Sequence, residues 1–237
     1  MTKICTTENE AYNWVKENRN YIKGKFANTE VYPPVKNPYT IFMAGAPGVG
    51  KTEWSKSYIE ELYKIDPNNP IVRIDTDEIR EMIPGYIGTN ADVFQKAAGL
   101  GVTYVFDHSQ KNSQNICVDT TFSATEIAMK NVKRAIDKER KTGIFYLYLD
   151  PATAWDYTKK REAVEKRFVP KEYFVETFFK SRENVNSIKR FFGDKIELHL
   201  IVFNSDHKIV VSEFNITNVD PYIKISYTEK QLLKELL

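Results

Sequence analysis

The sequence has few cysteines, few histidines and no long apolar run, and each shortage removes a class of function. No uninterrupted apolar stretch approaches the roughly 20 residues that a bilayer-spanning helix needs, so a soluble chain with no membrane role is expected. The two cysteines, Cys5 and Cys117, are too few and too far apart for a disulfide framework or a paired metal site, and they suit the reducing cytoplasm. The three histidines, His108, His199 and His207, lack ligand-like spacing and are assigned to structure. Residues Met1 to Thr6 carry one lysine but no apolar signal core, so export is not expected. An excess of one charge is also missing. The balance of 34 basic against 32 acidic side chains leaves +2, which gives no global footprint for a long nucleic acid.

What is present suits a single α/β domain. The 237 residues, 42% of them hydrophobic, can bury a full core. Residues 1–36 read as a lead-in: one amphipathic helix from about Glu8 to Ile22, then Val31-Tyr32-Pro33-Pro34-Val35, whose adjacent prolines enforce extended chain. From residue 37 to 237, apolar runs alternate with helical stretches. The runs are Tyr39–Ala44, Ile71–Ile74, Ile116–Val118, Ile144–Leu149 and Leu198–Phe203. Near-continuous apolar strands with crossover-length separators imply a central parallel sheet of about five strands flanked by helices, the layout of a P-loop NTPase or kinase. Helical spacing marks Glu53–Lys64 and Thr125–Lys141. Asp92–His108 reads as a helix despite Gly99 and Gly101. Ile209-Val210-Val211 suggests a hairpin-like extra strand, and an amphipathic helix from about Thr228 to Leu237 closes the chain.

Between the first strand and the first helix of this core stands Gly45-Ala46-Pro47-Gly48-Val49-Gly50-Lys51-Thr52. Backbone amides of such a loop, with the positive end of the next helix, cradle phosphate oxygens. Lys51 supplies a charge for the β- and γ-phosphates, and the Thr52 hydroxyl is the expected Mg²⁺ ligand, so ATP and Mg²⁺ are the expected cofactors. Asp75-Thr76-Asp77 follows the second strand, at the end where open α/β sheets bind ligands. Asp77 could equally cap the next helix. Beside a phosphate loop, a carboxylate that orients a hydroxyl and takes its proton is the sharper reading, and Asp77 is the candidate base. Asp119-Thr120-Thr121 closes the third strand where an acidic Mg²⁺ organiser is expected, with Asp119 acting directly or through water.

Arg161 and Arg167 lie in Lys159–Pro170, a strongly basic stretch. Pro170 disfavours helix at Val169, which sets Arg167 on a break between helices. A movable segment bearing arginines suits a lid that stabilises charge on a transferring phosphoryl group, although most such runs are simply solvated helix faces.

Gly45–Thr52, Ile74-Asp75-Thr76-Asp77-Glu78-Ile79-Arg80, Asp119–Thr121, and Arg161 and Arg167 with Pro170-Lys171-Glu172 together resemble the zeta-toxin kinases over roughly residues 38–205. The resemblance implies Asp77 as catalytic base, with Lys51, Arg161 and Arg167 as the loop lysine and lid arginines. It also implies ATP-dependent phosphorylation of the 3′-hydroxyl of UDP-N-acetylglucosamine, and a small antitoxin as a partner. Arg80, Asp119 and Thr121 are expected on the substrate side. Where that family commonly shows Glu-Gly-Thr, this chain has Asp119-Thr120-Thr121. That ending, with Arg73–Arg80 and Arg167-Phe168-Val169-Pro170, is similar to the kinase domain of phage-type polynucleotide kinases, in which Arg80's counterpart would help hold a nucleic-acid acceptor. A non-catalytic nucleotide-binding module, with Asp77 only a helix cap, is the third reading.

Overall fold

A computed structural model describes residues 4–224 and 227–236. Within them, β1 (Tyr39–Ala44), β2 (Ile71–Asp75), β3 (Asn115–Asp119), β4 (Lys141–Tyr148), β5 (Glu197–Phe203) and β6 (Ile209–Glu213) form one sheet in the order β2-β3-β1-β4-β5-β6. The first five strands are parallel, as the apolar runs imply, and the extra strand β6 pairs antiparallel with β5. Every residue of β3 is buried, as befits a strand covered on both faces, whereas Ile209 and Val210 on the edge strand β6 are exposed.

The helices are α1 (Glu8–Glu17), α2 (Arg19–Ala27), α3 (Lys51–Ile65), α4 (Thr76–Glu81), α5 (Ala91–Lys111), α6 (Thr125–Ile136), α7 (Pro151–Glu165), α8 (Lys171–Phe192) and α9 (Glu229–Glu235). The single N-terminal helix read from the sequence is two. At Asn18 both the backbone N–H and the side-chain amide donate to the Trp14 carbonyl, closing α1 and turning the chain into α2. Ala11, Val15, Ile22 and Ala27 are buried, and both helices pack against α5.

Helix α5 runs unbroken through its glycines. A Cβ on Gly101 would stand 2.6 Å from Cγ2 of Ile79, so the glycine admits α4 at close range. Helix α6 ends at Ile136, short of the expected Lys141. Glu139 takes φ +54°, and Arg140 turns inward to donate to the Thr40 hydroxyl and the Tyr39 carbonyl, both at 2.7 Å, and to the Gln114 carbonyl. Lys141 then opens β4. A capping box between Thr228 and Gln231 starts α9, and the expected end at Leu237 lies outside the described residues. No helix among the described residues is long and apolar enough to cross a membrane.

β1 sits between β3 and β4, while its own successor β2 lies beyond β3. The chain therefore leaves β1 on one side and later returns on the other. That switch opens a crevice past the carboxyl ends of β1 and β3.

Candidate active site

The crevice holds a cleft of about 1260 Å³ that gathers residues from the phosphate loop, from the ends of β2 and β3, from α5 and α6, and from the segment joining α7 to α8. Gly45–Gly50 form the loop and Lys51 opens the 15-residue α3, so its free amides and dipole face the cleft. Gly48 takes φ +76°, and a Cβ there would fall 2.1 Å from the Ala154 carbonyl oxygen. Only glycine lets the loop pass under α7. Lys51 Nζ donates to the Ala46 carbonyl at 2.7 Å. Burial lowers its pKa to about 8 against the pull of the Asp119 carboxylate, leaving a cation poised for a better partner.

The Thr52 hydroxyl donates to Oδ2 of Asp119 at 3.0 Å, and the Ser55 hydroxyl, one turn along α3, lies between the Thr52 carbonyl at 3.1 Å and the same Asp119 oxygen at 3.4 Å. Thr121 sits on the cleft wall, where its hydroxyl pairs with Ser123 at 2.9 Å and its carbonyl accepts from the Gly45 N–H at 3.2 Å. Arg73 donates to Asp75, two residues along β2, at 2.5 Å and reaches across to Asp119 on β3 at 2.6 Å.

Asp75, and not Asp77, is the N-cap of α4: its Oδ1 accepts from the Asp77 N–H at 2.8 Å. The capping alternative for Asp77 therefore falls to its neighbour, and the Asp77 carboxylate points into a cluster of arginines. Oδ1 accepts from Arg80 at 2.6 Å, Oδ2 accepts from Arg167, and Arg161 stands 3.9 Å from Oδ2. Burial disfavours the charged form of Asp77, but these guanidiniums more than offset it and hold the carboxyl below the usual range. Arg80, expected to face the acceptor, lies behind the candidate base with 1% exposure, and its other nitrogen donates to Gln95 Oε1 at 2.6 Å.

Helix α7 ends with Lys166 in the left-handed region at φ +59°, and α8 begins after Pro170, so Arg167 does sit on a break between helices. Arg161 is in the last turns of α7, where Glu165 accepts from its Nε at 2.7 Å. Both arginines line the cleft.

Sequence reasoning passed over four members of the site. Arg73 had a signal, as the one charged residue in an otherwise apolar strand before its terminal Asp75. Ser55 had one too, three residues beyond Thr52 on the same helix face. Gln95 had none. His207, assigned to structure, projects from the β5–β6 turn to within 3.2 Å of where a Cβ on Gly50 would stand, with its ring edge-on to Tyr157 at 4.3 Å. Tyr157 in turn donates to the Ser205 carbonyl at 3.0 Å, which ties this turn to α7.

The family model described as Zeta toxin matches residues 23–216. A structure of the PezAT chromosomal toxin–antitoxin system of Streptococcus pneumoniae is similar at a TM-score of 0.66 and 17% identity, over 98% of this chain and 96% of that one. AvrRxo1-ORF1:-ORF2 with ATP is similar at 0.62 and 16%, over 91% of this chain and 71% of that one. At these identities the likeness shows the fold. No curated protein matches the sequence.

Proposed function

The chain belongs to the Zeta toxin family, and we propose that it is a phosphotransferase that moves the γ-phosphate of ATP to an alcohol, with the 3′-hydroxyl of UDP-N-acetylglucosamine as acceptor. One observation carries this reading. The Asp77 carboxylate lies in the same cleft as the Gly45–Thr52 loop and is held in place by Arg80 and Arg167.

In this reading Gly45–Gly50 and the first turn of α3 bind the β- and γ-phosphates through backbone N–H groups, and Lys51 exchanges the Ala46 carbonyl for phosphate oxygen. Asp77 orients the acceptor hydroxyl and takes its proton as the new O–P bond forms and the bond from the γ-phosphorus to the β–γ bridging oxygen breaks. ADP leaves with that electron pair. A carboxylate of low pKa suits such a step, since the transition state is loose and needs positioning more than a strong base. Arg161 and Arg167 are cations beside that carboxylate and serve the charge on the transferring group. Thr52 and Asp119 offer the oxygen-only donors that a hard dication prefers, and Mg²⁺ bound there with ATP supplies neutralisation of the β- and γ-phosphate charge.

The far part of the cleft, between α5 and α6, supports an anionic, partly apolar acceptor. Val102, Phe122 and Ile127 line it, with Lys96, Lys130 and Arg134 about it. A small antitoxin that covers the cleft is the partner this reading expects; the PezAT structure is described as that of a toxin–antitoxin system. Incubation with ATP, Mg²⁺ and UDP-N-acetylglucosamine should yield ADP and a singly phosphorylated sugar nucleotide by mass spectrometry. Rapid labelling of a 5′-hydroxyl oligonucleotide in the same mixture, with the sugar nucleotide untouched, would replace this acceptor with a polynucleotide end.

A further inference from the structure

Arg73 has no part in the steps above, yet it is a heavily engaged cation beneath the cleft, bonded to Asp75 and Asp119 of its wall. Its side chain is 11% exposed. One terminal nitrogen lies 2.5 Å from Oδ2 of Asp75 and 2.6 Å from Oδ2 of Asp119, the other is 2.6 Å from Glu78, and Nε donates to the Ser55 hydroxyl at 3.1 Å. The Asp119 oxygen that Arg73 holds is also the one that accepts the Thr52 hydroxyl. Arg73 and Thr52 together take both lone pairs of that oxygen, and the Ser55 hydroxyl, whose hydrogen has the nearer Thr52 carbonyl at 3.1 Å, stands 3.4 Å away, so this oxygen has no lone pair left for a cation.

The charges balance locally. Asp75, Asp119 and Glu78 stand against Arg73, the nearby Lys51, and Lys56, which is 3.6 Å from Glu78. A dication arriving alone would meet carboxylates that are already neutralised and a fixed guanidinium that repels it. A dication arriving on a polyphosphate brings its own countercharge. Among the described residues, no group of three or more His, Cys, Asp or Glu could hold a metal ion unaided.

We propose that Arg73 is a positioning residue that reserves Asp119 for the Thr52 hydroxyl and closes this corner to a bare divalent cation, so that the metal is taken up only together with nucleotide. The inference rests on reading Thr52 and Asp119 as the metal corner, and it makes Asp119 an indirect organiser of the metal, acting through Thr52 and water. A purely structural Arg73, tying β2 to β3, would predict no change in cation affinity when it is replaced.

The test is a Mn²⁺ titration of nucleotide-free protein, followed by electron paramagnetic resonance. The natural chain should show no saturable site. Arg73→Gln, which keeps hydrogen-bonding capacity and loses the charge, should bind one Mn²⁺ saturably, at least about tenfold more tightly than any residual binding by the natural chain. The gain should vanish in Arg73→Gln combined with Asp119→Asn, and Arg73→Lys should behave like the natural chain. If Arg73→Gln is unstable, its melting temperature gives the same reading, because a cation that binds only the folded state raises it. Saturable Mn²⁺ binding by the natural chain without nucleotide, or no gain in Arg73→Gln by either measure, overturns the inference. A control separates the two levels of the argument. If Thr52→Ala leaves the Mn²⁺·ATP spectrum on the protein unchanged, the metal corner itself is misassigned. If it alters that spectrum while Arg73→Gln gains nothing, only the role of Arg73 fails.

Discussion

Arg167 donates to Oδ2 of Asp77 across 90 residues of sequence, so the segment between α7 and α8 is latched to the first turn of α4. With Arg80 on Oδ1, both oxygens of the proposed base are engaged before any acceptor arrives. An acceptor hydroxyl that reaches Oδ2 must share or displace Arg167, which frees that guanidinium toward the phosphates. Arg167→Ala should therefore cut kcat on the order of 10³-fold, the lower range for an arginine serving phosphoryl transfer, while ATP affinity moves only a few fold. Arg167→Lys should restore little, because a point charge cannot span carboxylate and phosphate as a planar fork can. Steady-state rates beside a direct ATP titration decide the matter, and a tenfold or greater loss of ATP affinity without a kcat effect would move Arg167 from catalysis to nucleotide binding.

Asp77→Asn keeps shape and size and removes only the charge and the proton acceptor. A loss of about 10²–10⁴ in kcat is expected, with ATP affinity nearly unchanged, since a positioned general base contributes about that much. Because Asp75 is the helix cap, α4 should persist in the variant. Near-full turnover in a folded Asp77→Asn protein would leave Asp77 as a tether for arginines and nothing more.

The pH dependence of ATP binding should report on Lys51. Burial puts its free-state pKa at about 8, and bound phosphates can only raise it. Below that value the lysine is charged before and after binding, and affinity is flat with pH. Above it, the free protein has lost the proton that the complex needs, so affinity should fall by up to about tenfold per pH unit. Cys117, pushed up by burial to about 12, does not interfere in this window. Lys51→Met should bind ATP weakly and without this slope, and a calorimetric titration at several pH values checks both. In the ligand-free protein the sign is opposite: the unfolded chain, with lysine near 10.5, holds more protons between the two values, so stability rises with pH there.

Most of the fold was legible because its strands are continuous apolar runs and its phosphate loop is a contiguous motif. β1 matches its run residue for residue, and β2, β3 and β5 gain only one residue at an end or two. The split at Asn18 was hidden because both halves keep one apolar face and the break depends on a local amide bond. The true end of α6 was hidden because Arg140, which helical spacing carried into the expected helix to Lys141, is 4% exposed and gives its donors to the start of β1. In the site, the residues proposed to touch a nucleotide or an acceptor belong to short local patterns. Those that hold such residues do not: Arg73 meets Asp119 from 46 positions away, and Gln95 meets Arg80 from 15. Long-range hydrogen bonds of this kind leave no periodic trace.

Gln95 offers the sharpest test of that supporting layer. Arg80 is buried behind Asp77, and one of its two terminal nitrogens has Gln95 as its side-chain partner. Removing that partner should let the guanidinium rock, and Asp77 with it. Gln95 is exposed to the cleft, so water can replace its amide and the stability cost should stay near 1 kcal/mol. The rate should suffer more: about tenfold in kcat for Gln95→Ala, equivalent to about 1.4 kcal/mol of barrier, with ATP affinity unaltered. Gln95→Glu places a carboxylate where the amide oxygen was and competes with Asp77 for Arg80. With less of that guanidinium, Asp77 should titrate higher, and the acidic limb of the kcat profile should move to higher pH than in the natural chain. A profile that does not move in Gln95→Glu, in a variant whose melting temperature matches the natural chain, would mean that Arg80 supports the fold and does not tune the base.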